Sequence, residues 1–184
     1  MVPMIKLLFA GFALNCLVVT SAISQADDEL DDLFNALREA DATAAAAIEG
    51  RIWEEWSKSG SASMDLLLER GREALENEDA KRAIEHFSAL IDHAPGFAEG
   101  YNARASAYFR EGLYGPSLED IRRALELNPR HFGALSGLGI IFESIGHPED
   151  ALEAYRAVSE LYPAQDGLQD RIDRLSRELE GEKI

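Results

Sequence analysis

Apolar residues recur along this chain at three- and four-residue intervals, and the stripes they form return every 34 residues. Leu67, Tyr101 and Leu135 share one register, Phe87, Ile121 and Tyr155 a second, and Leu90, Ala124 and Val158 a third. That spacing puts side chains on one face of an α-helix, so each stripe predicts an amphipathic helix. Small residues keep the same interval: Gly71, Ala105 and Gly139 in the first helix of each unit, Ala83, Ser117 and Ala151 in the second. Small side chains in facing registers let paired helices approach closely. Pro95, Pro129 and Pro163 close the units, because proline cannot continue the hydrogen-bond ladder and drives the residue before it out of the helical region.

These marks predict three helical hairpins, residues 64–97, 98–131 and 132–165. The first runs from Met64 to Glu76, turns at Asn77–Asp79, and returns from Ala80 to His93. The others turn near Glu111-Gly112 and Ile145-Gly146, where glycine supplies the backbone freedom that ends a helix. Pro116 falls in the first turn of a helix, a tolerated place. No hairpin can bury its stripe alone, so neighbours must stack into one continuous core. A closing helix, residues 166–180, turns Leu168, Ile172, Leu175 and Leu179 inward and Gln169, Asp170, Asp173, Arg174 and Arg177 to water, the pattern of a cap.

Residues 27–62 predict a further hairpin. Acids crowd its start at Asp27, Asp28, Glu29, Asp31 and Asp32, where a helix macrodipole favours them. Leu30, Leu33, Phe34 and Leu37 stripe its first helix; Ile48, Ile52, Trp53 and Trp56 stripe its second. Leu33, Trp53 and Trp56 stand 34 residues before Leu67, Phe87 and Leu90, but Leu37, Glu49 and Ser61 replace the small residues and the proline. The expectation is a degenerate fourth unit stacked ahead of residue 64 as an N-terminal cap, its tryptophans packed on the next unit. Exposed tryptophans would instead anchor a ligand or a second copy of the chain.

Residues 1–26 read as a secretory leader: Lys6, a largely apolar run from Leu7 to Val19, and Ser24-Gln25-Ala26 as small residues for cleavage. The apolar run is short for a membrane span. Cys16, the single cysteine, lies in this leader, so a cleaved chain has no thiol for disulfides, metal sites or nucleophilic catalysis. The chain carries 18 basic and 34 acidic residues, a net charge of −16. That sign opposes phosphate neutralisation and argues against nucleic acid or anionic membrane as partner. Export, with the periplasm as the destination in a bacterial cell, is the expected localisation.

The signature Gly71–Ala83–Phe87–Pro95, repeated as Gly139–Ala151–Tyr155–Pro163 and more loosely as Ala105–Ser117–Ile121–Pro129, resembles the tetratricopeptide repeat family across residues 64–165. The resemblance implies an all-α, right-handed α-solenoid of helix–turn–helix repeats with a C-terminal capping helix. It also implies that the first helix of each repeat lines a groove holding a peptide or partner helix. Residues turned from the packed stripe would line it: Leu68, Arg72, Leu75 and Glu76; Asn102, Ser106, Phe109 and Arg110; Ser136, Ile140, Glu143 and Ser144. Arg72 and Arg110 would meet carboxylates, Asn102 a peptide backbone, and Leu68, Phe109 and Ile140 apolar side chains. Members that bind chaperone tails use lysines, asparagines and an arginine; Leu68, Arg72, Gly133 and Gly137 occupy the corresponding places here, so that clamp is not expected.

No catalytic context surrounds any serine or acid pair, and Gly133, Gly137 and Gly139 lie in a helical pattern rather than in a phosphate loop. His86, His93, His131 and His147 lack metal-ligand spacing and are expected at the surface or in repeat loops. The sequence therefore points to a non-enzymatic, cofactor-free binding scaffold, exported, with a protein or peptide partner and envelope assembly or secretion as its setting. Self-association through the tryptophan hairpin is the alternative.

Overall fold

The computed structural model describes residues 28–181. The leader and Cys16 lie outside them. Among the described residues there are nine helices and no strand: α1 (28–39), α2 (Ala42–Trp56), α3 (Ala62–Glu76), α4 (Ala80–His93), α5 (Ala98–Arg110), α6 (Tyr114–Leu127), α7 (Phe132–Ser144), α8 (Pro148–Leu161) and α9 (Leu168–Gly181). None is long and apolar enough to cross a membrane. The pairs α3/α4, α5/α6 and α7/α8 are the three hairpins; α4 meets α5, α6 meets α7, and α9 closes the stack against α8.

The periodic residues act locally as their chemistry dictates. Ala94, Asn128 and Tyr162, each before a proline, leave the helix with φ between −132° and −141°. Each proline then takes the second place of a turn closed by a backbone bond: Phe97 N–H to Ala94 O at 3.0 Å, His131 N–H to Asn128 O at 3.1 Å, Gln165 N–H to Tyr162 O at 3.2 Å. Its fixed φ suits that place. Inside each hairpin the first helix ends on a left-handed residue, Glu78 (φ 61°), Gly112 (φ 72°) and Gly146 (φ 79°), again 34 apart. The next N–H reaches back five residues, as from Leu113 to Tyr108 O at 2.9 Å, satisfying an otherwise orphaned carbonyl.

Close approach inside the hairpins is real. A methyl on Gly71 would fall 2.2 Å from Phe87 Cε1, and one on Gly139 2.6 Å from Tyr155 Cε1. Ala83 and Ala151 are fully buried opposite them. Between α5 and α6 the buried Asp120 accepts both Arg104 Nε and Nη2, at 2.7 and 2.8 Å.

The N-terminal hairpin departs from expectation. Leu33, Phe34, Leu37, Ala45, Ile52 and Trp56 share one apolar core with Phe132, Tyr155, Val158 and Tyr162 of the third repeat and Leu168 and Leu175 of α9. The core of α3, α4 and the facing side of α5 contains none of them. The hairpin is therefore not stacked ahead of α3 as a cap; it shares its core with the third repeat and α9, and the end of α2 reaches back to α3 through Ser57 and Arg72. The cause is steric and aromatic: α7 offers a bare glycine face and Phe132, while Leu37 and Glu49 cannot supply the close approach that Gly71 and Ala83 give a true repeat. An ionic contact holds the same placement, with Arg130 on Asp31 at 2.6 Å, while Arg51 on Glu29 at 2.9 Å joins the hairpin's own two helices.

Candidate functional site: the face of α3, α5 and α7

The first helices of the hairpins lie side by side, α3 beside α5 and α5 beside α7, forming the face on which a partner is expected. Part of it is already covered. Trp53 of α2 lies on Gly133, with Cη2 2.6 Å from where a methyl on that glycine would stand. Trp56 stacks on His131, ring centroids 4.3 Å apart and planes 24° apart, and Phe132 lies 4.9 Å from Trp56 and 5.4 Å from Tyr162. Tyr162 in turn donates its hydroxyl to Glu49 Oε2 at 2.9 Å. Such offset and edge contacts add to the area the rings bury. The tryptophans are spent within the molecule, on the third repeat rather than the next one, and do not stand free for self-association.

Beneath α2 a buried carboxylate ties the repeats together. Glu99, 3% exposed in the first turn of α5, accepts Arg72 Nη2 at 2.6 Å, Asn102 Nδ2 at 2.9 Å and His131 Nε2 at 3.0 Å. His131 Nδ1 is itself the acceptor of the Ala134 N–H at 3.2 Å, capping α7, so the ring proton sits on Nε2 and points at the carboxylate. Arg72 also donates to Ser57 Oγ, at 3.0 and 3.1 Å, which stitches α3 to the end of α2. A carboxylate this deep is stable only when paired and hydrogen-bonded, and three donors achieve that. His131 lies in the repeat loop before α7, as expected of the histidines, but it is fully buried rather than at the surface.

This geometry divides the expected groove residues. Leu68 is 1% exposed and belongs to the core of α3–α5. Arg72 holds Glu99 rather than a partner's carboxylate, and Asn102, 9% exposed, also bonds Glu99 rather than a peptide backbone. Ser136 pairs with Gln165 at 3.3 Å. None of these four lines an open groove: Leu68 lies in the core of α3–α5, Glu99 holds Arg72 and Asn102, and the loop before α9 holds Ser136. Of the expected tail-clamp positions, Leu68 is buried, Arg72 is bonded and Gly133 is covered.

Ser106, Phe109, Arg110 and Ile140 do come together. With Ala105, Asn102, Gly137 and Ile141 they border a cavity of about 200 Å³ between α5 and α7, floored by Ser117 and Ile121 of α6. Ser106 and Arg110 are exposed, Phe109 and Ile140 half-buried. Arg110 Nη1 donates to Leu75 O at 2.8 Å, and Ser117 Oγ to Ala105 O at 2.7 Å. The walls are otherwise apolar, so the site offers shape and apolar surface with one cation at its rim. Among the described residues no group of three or more His, Cys, Asp or Glu is placed to hold a metal ion.

Glu99 and His131 escape a reading by repeats because their residue types do not recur: Asp65 and Gly133 stand 34 residues either side of Glu99, Phe97 and Gln165 either side of His131. The signal for the covered half is present in α7: Gly133, Gly137 and Gly139 within one thirteen-residue helix, each unfavourable unless something approaches closely.

Comparison with known proteins agrees with this architecture. The sequence profile described as Tetratricopeptide repeat matches residues 68–115 and 117–166. A TPR repeat-containing protein of Rhizobium etli is 35% identical over 164 residues, which cover 89% of this chain and 80% of that one. The small glutamine-rich tetratricopeptide repeat-containing protein 2 of Saccharomyces cerevisiae is 31% identical over 117 residues, 64% of this chain but 34% of its own length. Among solved structures, the first TPR of Spaghetti (RPAP3) bound to the HSP90 peptide SRMEEVD superposes with a TM-score of 0.61 at 26% identity, covering 63% of this chain and 92% of that one.

Proposed function

The chain belongs to the tetratricopeptide repeat family, and from that premise we propose that it is a non-enzymatic adaptor that binds a protein partner on the uncovered part of the α5–α7 face. The observation that carries this reading is the apolar cavity bordered by Ser106, Phe109, Arg110 and Ile140, open where the rest of the face is closed by α2. The first TPR of Spaghetti (RPAP3), bound to an HSP90 peptide, supports the same kind of work here. The chemistry required is non-covalent: apolar burial in the cavity, with directional bonds at its edge.

The adaptor is proposed to act after export, in the bacterial envelope, contributing to assembly or secretion there. Support for export is the residue pattern of 1–26: Lys6, the apolar run Leu7–Val19, and Ser24-Gln25-Ala26. A fusion of the chain to a reporter phosphatase that is active only outside the cytoplasm is expected to be active, and to fall silent when Leu14 and Leu17 become arginine. A fusion silent from the start contradicts export.

Binding is tested by replacing Ser106 with a photo-crosslinking amino acid in the producing cell. Crosslinks to one defined protein from Ser106, and none from the exposed Glu85 of α4, are the expected result. Equal crosslinking from both positions, or none from Ser106, contradicts the reading.

A further inference from the structure

We infer that the molecule is built as two bodies on a hinge: α3–α6 form one, the third repeat with α1, α2 and α9 forms the other, and they move against each other where α6 meets α7. Three features point to it.

The first is a brace present at one junction and missing at the next. Between the first and second repeats, Arg104 of α5 reaches both flanking helices. It donates Nε and Nη2 to Asp120 of α6 at 2.7 and 2.8 Å, and Nη1 to Ser88 of α4 at 3.1 Å. Its guanidinium carbon also stands 5.9 Å from the Tyr101 ring centre and 5.7 Å from that of Tyr108. A forked, half-buried guanidinium holds its neighbours in one geometry. Thirty-four residues on, all five positions have changed: Leu138 stands for Arg104, Ala154 for Asp120, Arg122 for Ser88, Leu135 for Tyr101 and Phe142 for Tyr108. Arg122 turns to Glu119 and Glu126 of its own helix.

The second is space. One apolar core lies wholly in the α1, α2 and α7–α9 body and another wholly in α3–α5. The core that crosses the junction has five buried residues, Ala105, Ile121, Ala124, Ala134 and Ile141, and three of them are alanine. Ile121 occupies the register of Phe87 and Tyr155 and fills less of it. It borders both the cavity of about 200 Å³ between α5 and α7 and a crevice of about 550 Å³ between α6 and α7, lined by Leu118, Leu125, Leu138 and Phe142. Atoms facing such gaps lose the contacts that resist displacement.

The third is where the polar ties lie. Glu99 bonds His131 at 3.0 Å, Arg72 bonds Ser57 at 3.0 Å, and Ser59 N–H reaches Asp65 at 2.8 Å. All three sit beside the two segments of chain that cross between the bodies, residues 57–61 and 128–131. Among the described residues, no side-chain hydrogen bond joins α6 to α7 or α8. The start of α7 is pinned and its far end swings, so the distance between Phe109 and Ile140 changes with it. Hinges of this kind are loop segments flanking packed bodies.

The test uses Asn77, Glu111 and Ile145, exposed and equivalent residues that end α3, α5 and α7. In the full chain carrying Cys16→Ser, nitroxides are placed through Asn77→Cys with Glu111→Cys, and separately through Glu111→Cys with Ile145→Cys. Double electron–electron resonance is expected to give a distance distribution about twice as broad for the 111/145 pair as for the 77/111 pair. Copying the brace, with Leu138→Arg, Ala154→Asp and Arg122→Ser, should narrow the 111/145 distribution to the width of the other. Removing it, with Arg104→Leu and Asp120→Ala, should broaden the 77/111 distribution. Circular dichroism establishes that each variant is folded, and the comparison of the two pairs without these changes decides the matter if neither is. Equal widths for the two pairs overturn the hinge. So does a folded variant in which gaining or losing the brace moves the melting temperature and leaves the widths as they were.

Discussion

Trp53 covers Gly133 so closely that a single methyl on the glycine would lie 2.6 Å from the indole's Cη2 and 2.8 Å from Cζ2. A long-range contact between α2 and α7 has been built by removing a side chain from one helix and supplying a ring from the other. Gly133→Ala is expected to displace the indole and destabilise the protein by about 1–3 kcal/mol, the usual cost of overpacking. Gly137→Ala, one turn away, meets Ile121 at an ordinary 3.4 Å. It should stabilise by roughly 0.5–1 kcal/mol through helix propensity. Urea denaturation followed by tryptophan fluorescence checks both; effects of the same sign contradict the placement of α2.

Buried and exposed ion pairs should separate cleanly. In Glu99→Gln, the amide must turn a donor toward Arg72 or toward Asn102 and His131, which are donors themselves. A loss of about 1–3 kcal/mol is expected from the unsatisfied groups. Arg122→Ala removes two contacts to Glu119 and Glu126, all three side chains well exposed, and should leave the denaturation midpoint essentially unchanged. Denaturation midpoints of the two variants provide the comparison.

How much of this is legible in the sequence follows from the kind of residue that carries each feature. The repeats are readable because each depends on residues in fixed registers: Gly71 against Phe87, Gly139 against Tyr155, and the three prolines at equivalent turns. The seat of the N-terminal hairpin is not, because periodicity describes which face of a helix is apolar and not which distant face receives it. Leu33, Trp53 and Trp56 fit the repeat register yet pack on Phe132 and Tyr162. Half of the groove is misassigned for the same reason. Leu68 turns into the core between α3 and α5, Glu99 holds Arg72 and Asn102, and Gln165 pairs with Ser136. Ser106, Phe109, Arg110 and Ile140 border a cavity that contains no residue of α2.

Stability should fall at both ends of the pH scale through identifiable groups. Burial alone would raise Glu143, but the Tyr155 hydroxyl and the guanidinium groups of Arg174 and Arg171 overcome it and hold the carboxyl below its usual 4.5. A depressed carboxyl stabilises fully above its unfolded value and loses that contribution as the pH falls through its folded one. Acidification below about 4.5 should therefore loosen α9 from α7. Tyr162 runs the other way: burial, then its bond to Glu49, raises it from 10.0 to about 12. Its contribution is complete below pH 10 and disappears as the pH rises toward 12, releasing the hairpin. Melting temperatures measured across pH should flatten at the acid end in Glu143→Gln and at the alkaline end in Tyr162→Phe.

Glu78 offers a stabilising change. It adopts φ 61° where the equivalent turns use Gly112 and Gly146. A left-handed conformation costs a side-chain-bearing residue about 1–2 kcal/mol, partly offset by the freer unfolded chain that glycine brings. Glu78→Gly is expected to raise stability by about 0.5–1 kcal/mol, seen as a higher melting temperature; a lower one contradicts the strain assigned to this turn.

The central claim is that the N-terminal hairpin lies across the face of the array and joins the third repeat, beside the open Ser106–Ile140 stretch. Nuclear Overhauser spectroscopy of the protein in solution tests this most directly. The predicted result is a strong cross-peak between the Trp53 ring protons and the Gly133 α-protons, with Trp56 connected to His131 and Phe132. Cross-peaks from both tryptophans to Leu67, Phe87 and Leu90 instead would put the hairpin ahead of the first repeat and contradict the account.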